Sequence, residues 1–439
     1  MWATTLITAA SLLSATAGAL LAVSLSSTPL LQRQLTAAES AVFSQGGSIV
    51  DEGLNLQLPR LTRPVNILVL GTKILSSDLN DPPPEVQNLG YHALVNSFEG
   101  LTDTMLLLRF DPDQQQVTVL SIPRDTRAYV NGYGLTKINE ANLYGGPALA
   151  AQSVSELLDG VGIDRYLLVN VQGVEKLINA LGGVNVNVPQ DMKYQDDSQH
   201  LYINLKAGEQ HLDGDKALQF LRFRYDNYGD IGRIQRQQLF MRAMVEQTLK
   251  PATISRLPNI LSVVRENLDT NLSVEELFAL TGFASQADRE NVQMLMLPGD
   301  FGNMQDYEVS YWLPRYTEID MLVDQYFGAN AFSANYDSVV PYVRIAVQDS
   351  TGQTEAVDRV LDSLYNSGYS NVFVDYARDQ ALPITRIIAQ NGDRQAAEAV
   401  RQALGIGEVL IESTGNLDSD VTIQIGRDWL RQSQSALLP

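Results

Sequence analysis

The chain contains no cysteine, which removes disulfides, thiolate metal sites and cysteine nucleophiles together. Histidine is scarce. His92, His200 and His211 are scattered without ligand spacing such as HxxxH, which speaks against a histidine-based zinc site. Positive charge is also short: 31 Lys and Arg stand against 51 Asp and Glu, a formal net charge of −20 at pH 7. Nucleic acid is disfavoured as a partner, because duplex binding draws most of its affinity from phosphate neutralisation by Lys and Arg. Any anion held by such a molecule needs a local arginine cluster that overrides the global field. Charge of either sign is missing altogether from Met1 to Gln32. What is present is apolar side chain, 45% of 439 residues against 19% charged, sufficient for two or three folded domains.

The stretch Leu6 to Leu25 is rich in Leu, Ala and Val, and a bilayer core requires about 20 such residues of a helix. A retained transmembrane anchor over residues 1–30 is the favoured reading. A cleaved signal peptide competes, with Ala15-Thr16-Ala17 as a cleavage site but no basic residue ahead of it; a buried core helix is the third alternative. Residues 31–60 are polar, carry Gly46-Gly47 and end near Pro59, the composition of a stalk.

Val65 to Gly71 is a continuous apolar run closed by glycine, the pattern of a strand buried on both faces. Residues 74–99, with Asp81-Pro82-Pro83-Pro84, read as a long surface loop. Met105–Phe110 and Val117–Ile122 flank Asp111-Pro112-Asp113-Gln114 and predict an antiparallel hairpin. Its geometry places Asp103 and Arg124 at the same end of the pair, as neighbours in space. Downstream the elements alternate: helix Pro147–Leu158, strand Tyr166–Val171, helix Val174–Leu181 closed by Gly182-Gly183, strand Val184–Val188. A polar excursion follows from Pro189 to Gln210, then a helix or turn over Gly214–Phe220, an extended Leu221–Tyr225 and a long helix Ile231–Leu249. Such alternation argues for an α/β domain with a central sheet, and residues 250–335, mainly helical, complete a domain spanning 61–335. Over residues 340–430 the order strand, helix, strand, strand, helix, strand (βαββαβ) fits a small ferredoxin-like α+β module.

Four arginines stand out. Arg222 and Arg224, two apart in an extended segment, leave on one face. Arg233 and Arg236, three apart on a helix, also share a face. Only the turn Asp226–Asp230 separates the pairs, so four guanidiniums converge on what reads as a polyanion site. Arginine suits this because its planar fork binds phosphate bidentately and never deprotonates. The competing reading is a strand–helix junction laced by salt bridges to Asp226 and Asp230.

Further motifs occur in fixed order: Thr102-Asp103-Thr104-Met105, Ser121-Ile122-Pro123-Arg124-Asp125-Thr126, Lys137-Ile138-Asn139-Glu140-Ala141, Gly182-Gly183-Val184, Leu212-Asp213-Gly214, Arg222-Phe223-Arg224, and Asp230 through Arg233 to Arg236-Gln237. This series, over about residues 65–250, resembles the LytR-CpsA-Psr family. Asp349-Ser350-Thr351-Gly352 and Gln390-Asn391-Gly392-Asp393 resemble the LytR C-terminal domain. The resemblance implies a domain with a central mixed β-sheet flanked by helices. It also implies a membrane-anchored enzyme on the extracytoplasmic side of the cytoplasmic membrane, a phosphotransferase that moves a glycopolymer from a polyprenyl-pyrophosphate carrier to peptidoglycan with Mg²⁺ at the pyrophosphate. Matched by position, Arg124, Arg222, Arg224 and Arg233 would hold the pyrophosphate, with Arg236 and Gln237 completing the helix start. Asp103 would ligate the metal or act on the attacking hydroxyl, and Lys137 and Asn139 would line the same end. Such chemistry needs mainly positioning and charge stabilisation.

Two positions depart from the family pattern. A carboxylate usually follows the first strand, where this chain has Gly71-Thr72-Lys73, and an arginine usually stands where it has Leu101. Lys73 would then contact the pyrophosphate with its ammonium; the alternative is a lysine facing solvent at a strand end. A polyprenyl-pyrophosphate-binding protein or pyrophosphatase without transferase activity is the competing function. A transcriptional attenuator is a third, disfavoured by the acidic charge and the apolar N-terminal segment.

Overall fold

The computed structural model describes residues 34–43, 47–51, 59–73, 98, 100–196, 201–223, 229–248, 250–284, 286, 291–302, 307, 309–328, 343–375, 381–416 and 418–435. The expected anchor over 1–30 and most of the 74–99 loop lie outside these residues. Among the described residues no helix is long and apolar enough to cross a membrane.

A six-stranded sheet organises the first unit. Its spatial order is Leu268–Thr270, Arg165–Val169, Val65–Lys73, Leu101–Asp111, Gln116–Ser121 and Val292–Met296. The 65–73 strand runs parallel to 165–169, and 116–121 runs parallel to 292–296. The 101–111 strand is antiparallel to both of its neighbours, and 268–270 is antiparallel to 165–169. Four strands therefore end at one edge of a mixed sheet. The apolar run at 65–70 buries side chains on alternate faces, Val65 and Ile67 on one and Leu68 and Leu70 on the other, because helices cover both. Each such side chain contributes about 2 kcal/mol on burial.

The expected hairpin is present, with Leu107 opposite Leu120 and Phe110 opposite Val117. The helix Glu140–Leu157 is kinked at Gly145-Gly146 ahead of Pro147, where Gly146 takes φ +65°. Asn170 caps Val171–Leu181 by accepting from the Gly173 amide, and Gly182 closes it in the left-handed region, a C-cap conformation that glycine adopts without steric cost.

Several expectations are corrected. Residues 34–43 and 47–51 are not a free stalk. Ala37–Val42 is a short helix with a Thr36/Glu39 capping box, Phe43 packs on Tyr166 at 5.1 Å between ring centroids, and Ile49 and Val50 are buried; burying three apolar side chains outweighs leaving the segment loose. The polar excursion after Val188 is a β-ribbon: Met192–Asp196 pairs with Leu201–Leu205, and Gly208–Leu212 returns to pair with Val184–Val188. Its inward Met192, Ile203 and Leu205 are buried, and polar residues alternate on the other face. Residues 250–328 contain strands at 268–270, 292–296, 299–301 and 312–314 as well as helices.

The C-terminal unit has every expected strand and helix, yet its topology is not ferredoxin-like. The five-stranded sheet has the order Val372–Val374, Ile345–Asp349, Val421–Ile425, Arg386–Ala389, Glu408–Ile411. In a ferredoxin-like fold the two strands flanking a helix are separated by a third. Here each pair lies side by side and parallel, because the last strand, 421–425, fills the gap between the two strand-helix-strand units.

Candidate active site

The carboxyl ends of the parallel strands, where ligands of open α/β sheets gather, carry the first cluster. Lys73 lies opposite Leu101, Thr72 opposite Thr102, and Gly71 opposite Thr104. Asp103 is therefore the extra residue of a β-bulge, a device that re-aims a side chain next to active sites. Backbone bonds lace the following segments to this point: the Thr102 amide donates to Asn139 O at 3.2 Å, Asn139 N to Arg124 O at 3.3 Å, and Ile138 N to Thr126 O at 2.9 Å. The loop 122–126 and the end of the hairpin Arg127–Val130/Gly134–Lys137 are thus drawn against the bulge.

The side chains form a line of alternating charge. Arg124 Nη1 meets Asp103 Oδ1 at 2.5 Å, Arg124 Nε lies 3.5 Å from Asp125 Oδ2, and Lys137 Nζ lies 2.9 Å from Asp125 Oδ1. All four are half-buried, so the charges remain within reach of a ligand while being less screened than on an open surface. Lys137 also stands 5.9 Å from the Tyr311 ring centroid, and Arg127 packs over Tyr307 and Tyr311. Asn139 is 4% exposed, and its Oδ1 has no donor among the protein atoms. A buried acceptor in that condition calls for a partner.

The second cluster sits where Gly214–Arg222 passes into Gly229–Thr248. Asp213 caps the first of these helices by accepting from Lys216 N, and the helix runs through Arg222, which corrects the extended segment expected there. Arg222 is helical, Phe223 is extended, and Arg224 lies outside the described residues. Arg233 and Arg236 are on the long helix as expected; Arg233's side chain lies outside the description. Arg236 is 4% exposed, donates from Nη2 to Phe223 O at 2.6 Å and stacks over the Phe223 ring. Burial pulls its guanidinium down to about 10, so it stays protonated at neutral pH.

A narrow crevice lies between the sheet and the 229–248 helix. Thr104 and Ser121 line it from the sheet, next in sequence to Asp103 and Ile122; Gln237, Gln238 and Met241 line it from the helix. Gln238 was not among the expected residues. It is 3% exposed and neither of its amide atoms has a partner, a property that only three-dimensional packing reveals. Asp125, the carboxylate shared by Arg124 and Lys137, was also missed, although it stands inside the Pro-Arg-Asp-Thr motif. Lys73 is placed by its backbone at the bulge; its side chain is not described. Ala150, Ala151, Tyr166, Ile178 and Leu181 from the neighbouring helices and strand belong to the packed core.

Among the described residues no group of three or more His, Asp or Glu side chains is arranged to hold a metal. Asp125 is committed to two cations. Asp103, itself paired with Arg124, offers one hard carboxylate, a donor set that fits Mg²⁺ only if ligand phosphates supply the other oxygens.

Comparison with known proteins places these features in context. The model of the LytR_cpsA_psr family matches residues 31–327, and that described as LytR cell envelope-related transcriptional attenuator matches residues 342–429. The polyisoprenyl-teichoic acid–peptidoglycan teichoic acid transferase TagU of Bacillus cereus is 31% identical over 225 residues, covering 51% of this chain and 71% of the relative. TagV of Bacillus subtilis, a transferase of the same description, is 31% identical over 229 residues, 51% of this chain and 58% of its own length. Protein gbs0355 of Streptococcus agalactiae superposes with a TM-score of 0.50 at 24% identity, over 60% of this chain and 88% of that one, and shares the fold.

Proposed function

The chain belongs to the LytR-CpsA-Psr family, and from that premise we propose that it is a phosphotransferase that moves a glycopolymer from a polyprenyl-pyrophosphate carrier to peptidoglycan. The observation that carries the reading is the line Asp103–Arg124–Asp125–Lys137 at the carboxyl edge of four parallel strands. Arg124 and Lys137 are neutralised within it, and a pyrophosphate exchanges those carboxylate contacts for its own oxygens. Gln237 lines the crevice from the long helix; Arg222, Arg224, Arg233, Arg236 and Lys73 are the further groups assigned to the pyrophosphate.

In the reaction, an acceptor hydroxyl oxygen bonds to the phosphorus that bears the glycan. The bond from that phosphorus to the bridging oxygen breaks, and polyprenyl phosphate departs with the electron pair. The arginines spread the charge that develops on the phosphoryl oxygens. Asp103 either accepts the hydroxyl proton or holds Mg²⁺, which when bound neutralises pyrophosphate charge. Asn139 Oδ1 supplies a buried acceptor for a ligand hydroxyl. Residues 1–30 serve as the membrane anchor, with the catalytic domain on the extracytoplasmic side.

The test is incubation of the full chain in vesicles with a lipid-linked glycan and peptidoglycan. The reading expects a covalent glycan–peptidoglycan adduct after muramidase digestion. Release of polyprenyl phosphate and free glycan phosphate without an adduct supports the pyrophosphatase alternative.

A further inference from the structure

The helix Gly229–Thr248 bears Arg233, Arg236 and Gln237 near its start, and the C-terminal unit grips it further along. Arg242 lies six residues beyond Arg236, about 9 Å along the axis. It is 7% exposed, and its Nη2 donates to Oε2 of Glu412, which is 3% exposed and 170 residues away in sequence. Thr414 Oγ1 donates to the other carboxylate oxygen at 2.7 Å. Glu412 also forms a backbone bridge to Met294 on the edge strand of the large sheet, and Ser413 N donates to Met294 O at 3.0 Å.

A second contact completes the grip. Tyr326 Oη donates to Gly392 O at 2.5 Å. Gly392 has φ +87°, and a Cβ there would stand 2.9 Å from the Tyr326 ring. The Gln390–Asp393 turn, singled out by its sequence, is thus shaped to the neighbouring unit.

Apolar residues of equal volume hold two units together at least as well as a buried ion pair does. What the ion pair adds is one allowed register. We propose that Glu412 is a positioning residue: through Arg242 it fixes the register of the 229–248 helix, whose start carries Arg233 and Arg236, so that Gln237 and Gln238 stand over the crevice opposite Thr104 and Ser121. The inference rests on the pyrophosphate reading of that site, and it gives the C-terminal unit a part in transfer without contact to substrate.

The test compares the full chain with Glu412→Gln, nearly isosteric, and with Val400→Ala, which opens a cavity in the core of the C-terminal unit. Amide hydrogen exchange over 229–240 and calorimetric binding of farnesyl pyrophosphate are read for each. Glu412→Gln raises exchange over 229–240 at least tenfold and weakens farnesyl pyrophosphate binding at least fivefold; Val400→Ala changes neither. The paired exchange Arg242→Glu with Glu412→Arg recovers part of both losses. Wild-type exchange over 229–240 in Glu412→Gln overturns the proposal, as does an equal effect of Val400→Ala. If farnesyl pyrophosphate fails to bind the wild type, the pyrophosphate reading fails while the exchange measurement still decides the clamp.

Discussion

Replacing Arg236 by Met separates function from stability. Burial of the guanidinium, which brings its pKa from the ordinary value to about 10, corresponds to a burden of about 3 kcal/mol on the charged form. The contacts that offset it include the bond to Phe223 O at 2.6 Å, worth about 1.5–3 kcal/mol for a charged donor, and the stack on the Phe223 ring, worth about 1 kcal/mol. Methionine fills similar volume, removes the charge and loses these contacts, so folding stability should change by no more than about 1 kcal/mol. Binding of a pyrophosphate loses a charge-assisted bond of about 1.5–3 kcal/mol, or about 10–150-fold in affinity. Calorimetry with farnesyl pyrophosphate and chemical denaturation on the same preparation provide both numbers. A loss of more than about 3 kcal/mol in stability with affinity unchanged would refute the reasoning and make Arg236 a structural anchor of the helix junction.

Asp103→Asn breaks the half-buried pair with Arg124, which after allowance for solvent is worth about 1 kcal/mol; thermal unfolding should shift by about 2–4 °C while transfer falls at least about 100-fold. Glu412 couples stability to pH. Burial alone would raise its pKa, but Arg242, Thr414 and Arg386 together hold it below the ordinary carboxylate range. Its contribution is therefore full above the unfolded value, about 4.3, and is lost as pH falls below that point and through the folded value. Unfolding curves between pH 7 and pH 3.5 should show a steeper acid loss for wild type than for Glu412→Gln; parallel curves would contradict the assignment. If Asp103 holds Mg²⁺, chelation abolishes transfer, Mg²⁺ restores it and Lys73→Asp steepens the Mg²⁺ titration; if Asp103 takes the hydroxyl proton instead, transfer survives chelation.

What could be read from sequence was local. The hairpin at 101–121 follows from two apolar runs and a Pro-containing turn, and with it came the meeting of Asp103 and Arg124, 21 residues apart. The bulge that aims Asp103 was not legible, because it depends on the register between two strands. The spacing Arg222-x-Arg224 suggested period 2, yet Asp213 starts a helix whose apolar face includes Ala217 and Phe220, and the helix carries on through Arg222. The 192–205 ribbon was hidden by its polar outward residues. In the C-terminal unit the strands and the helices 354–366 and 394–404 were visible, the final helix Arg427–Ser435 was not, and neither was the order of the sheet, since the last strand inserts between two units formed earlier in the chain. Arg242 and Glu412, distant in sequence and ordinary in context, carried no signal before packing brought them together.

The central claim is best tested by a single-turnover experiment with lipid-linked glycan and peptidoglycan, in which polyprenyl phosphate release and glycan attachment are counted together for wild type and Arg124→Ala. The account predicts one polyprenyl phosphate for each glycan attached by the wild type and neither product from Arg124→Ala. Release without attachment by the wild type, or unimpaired attachment by Arg124→Ala, would contradict it.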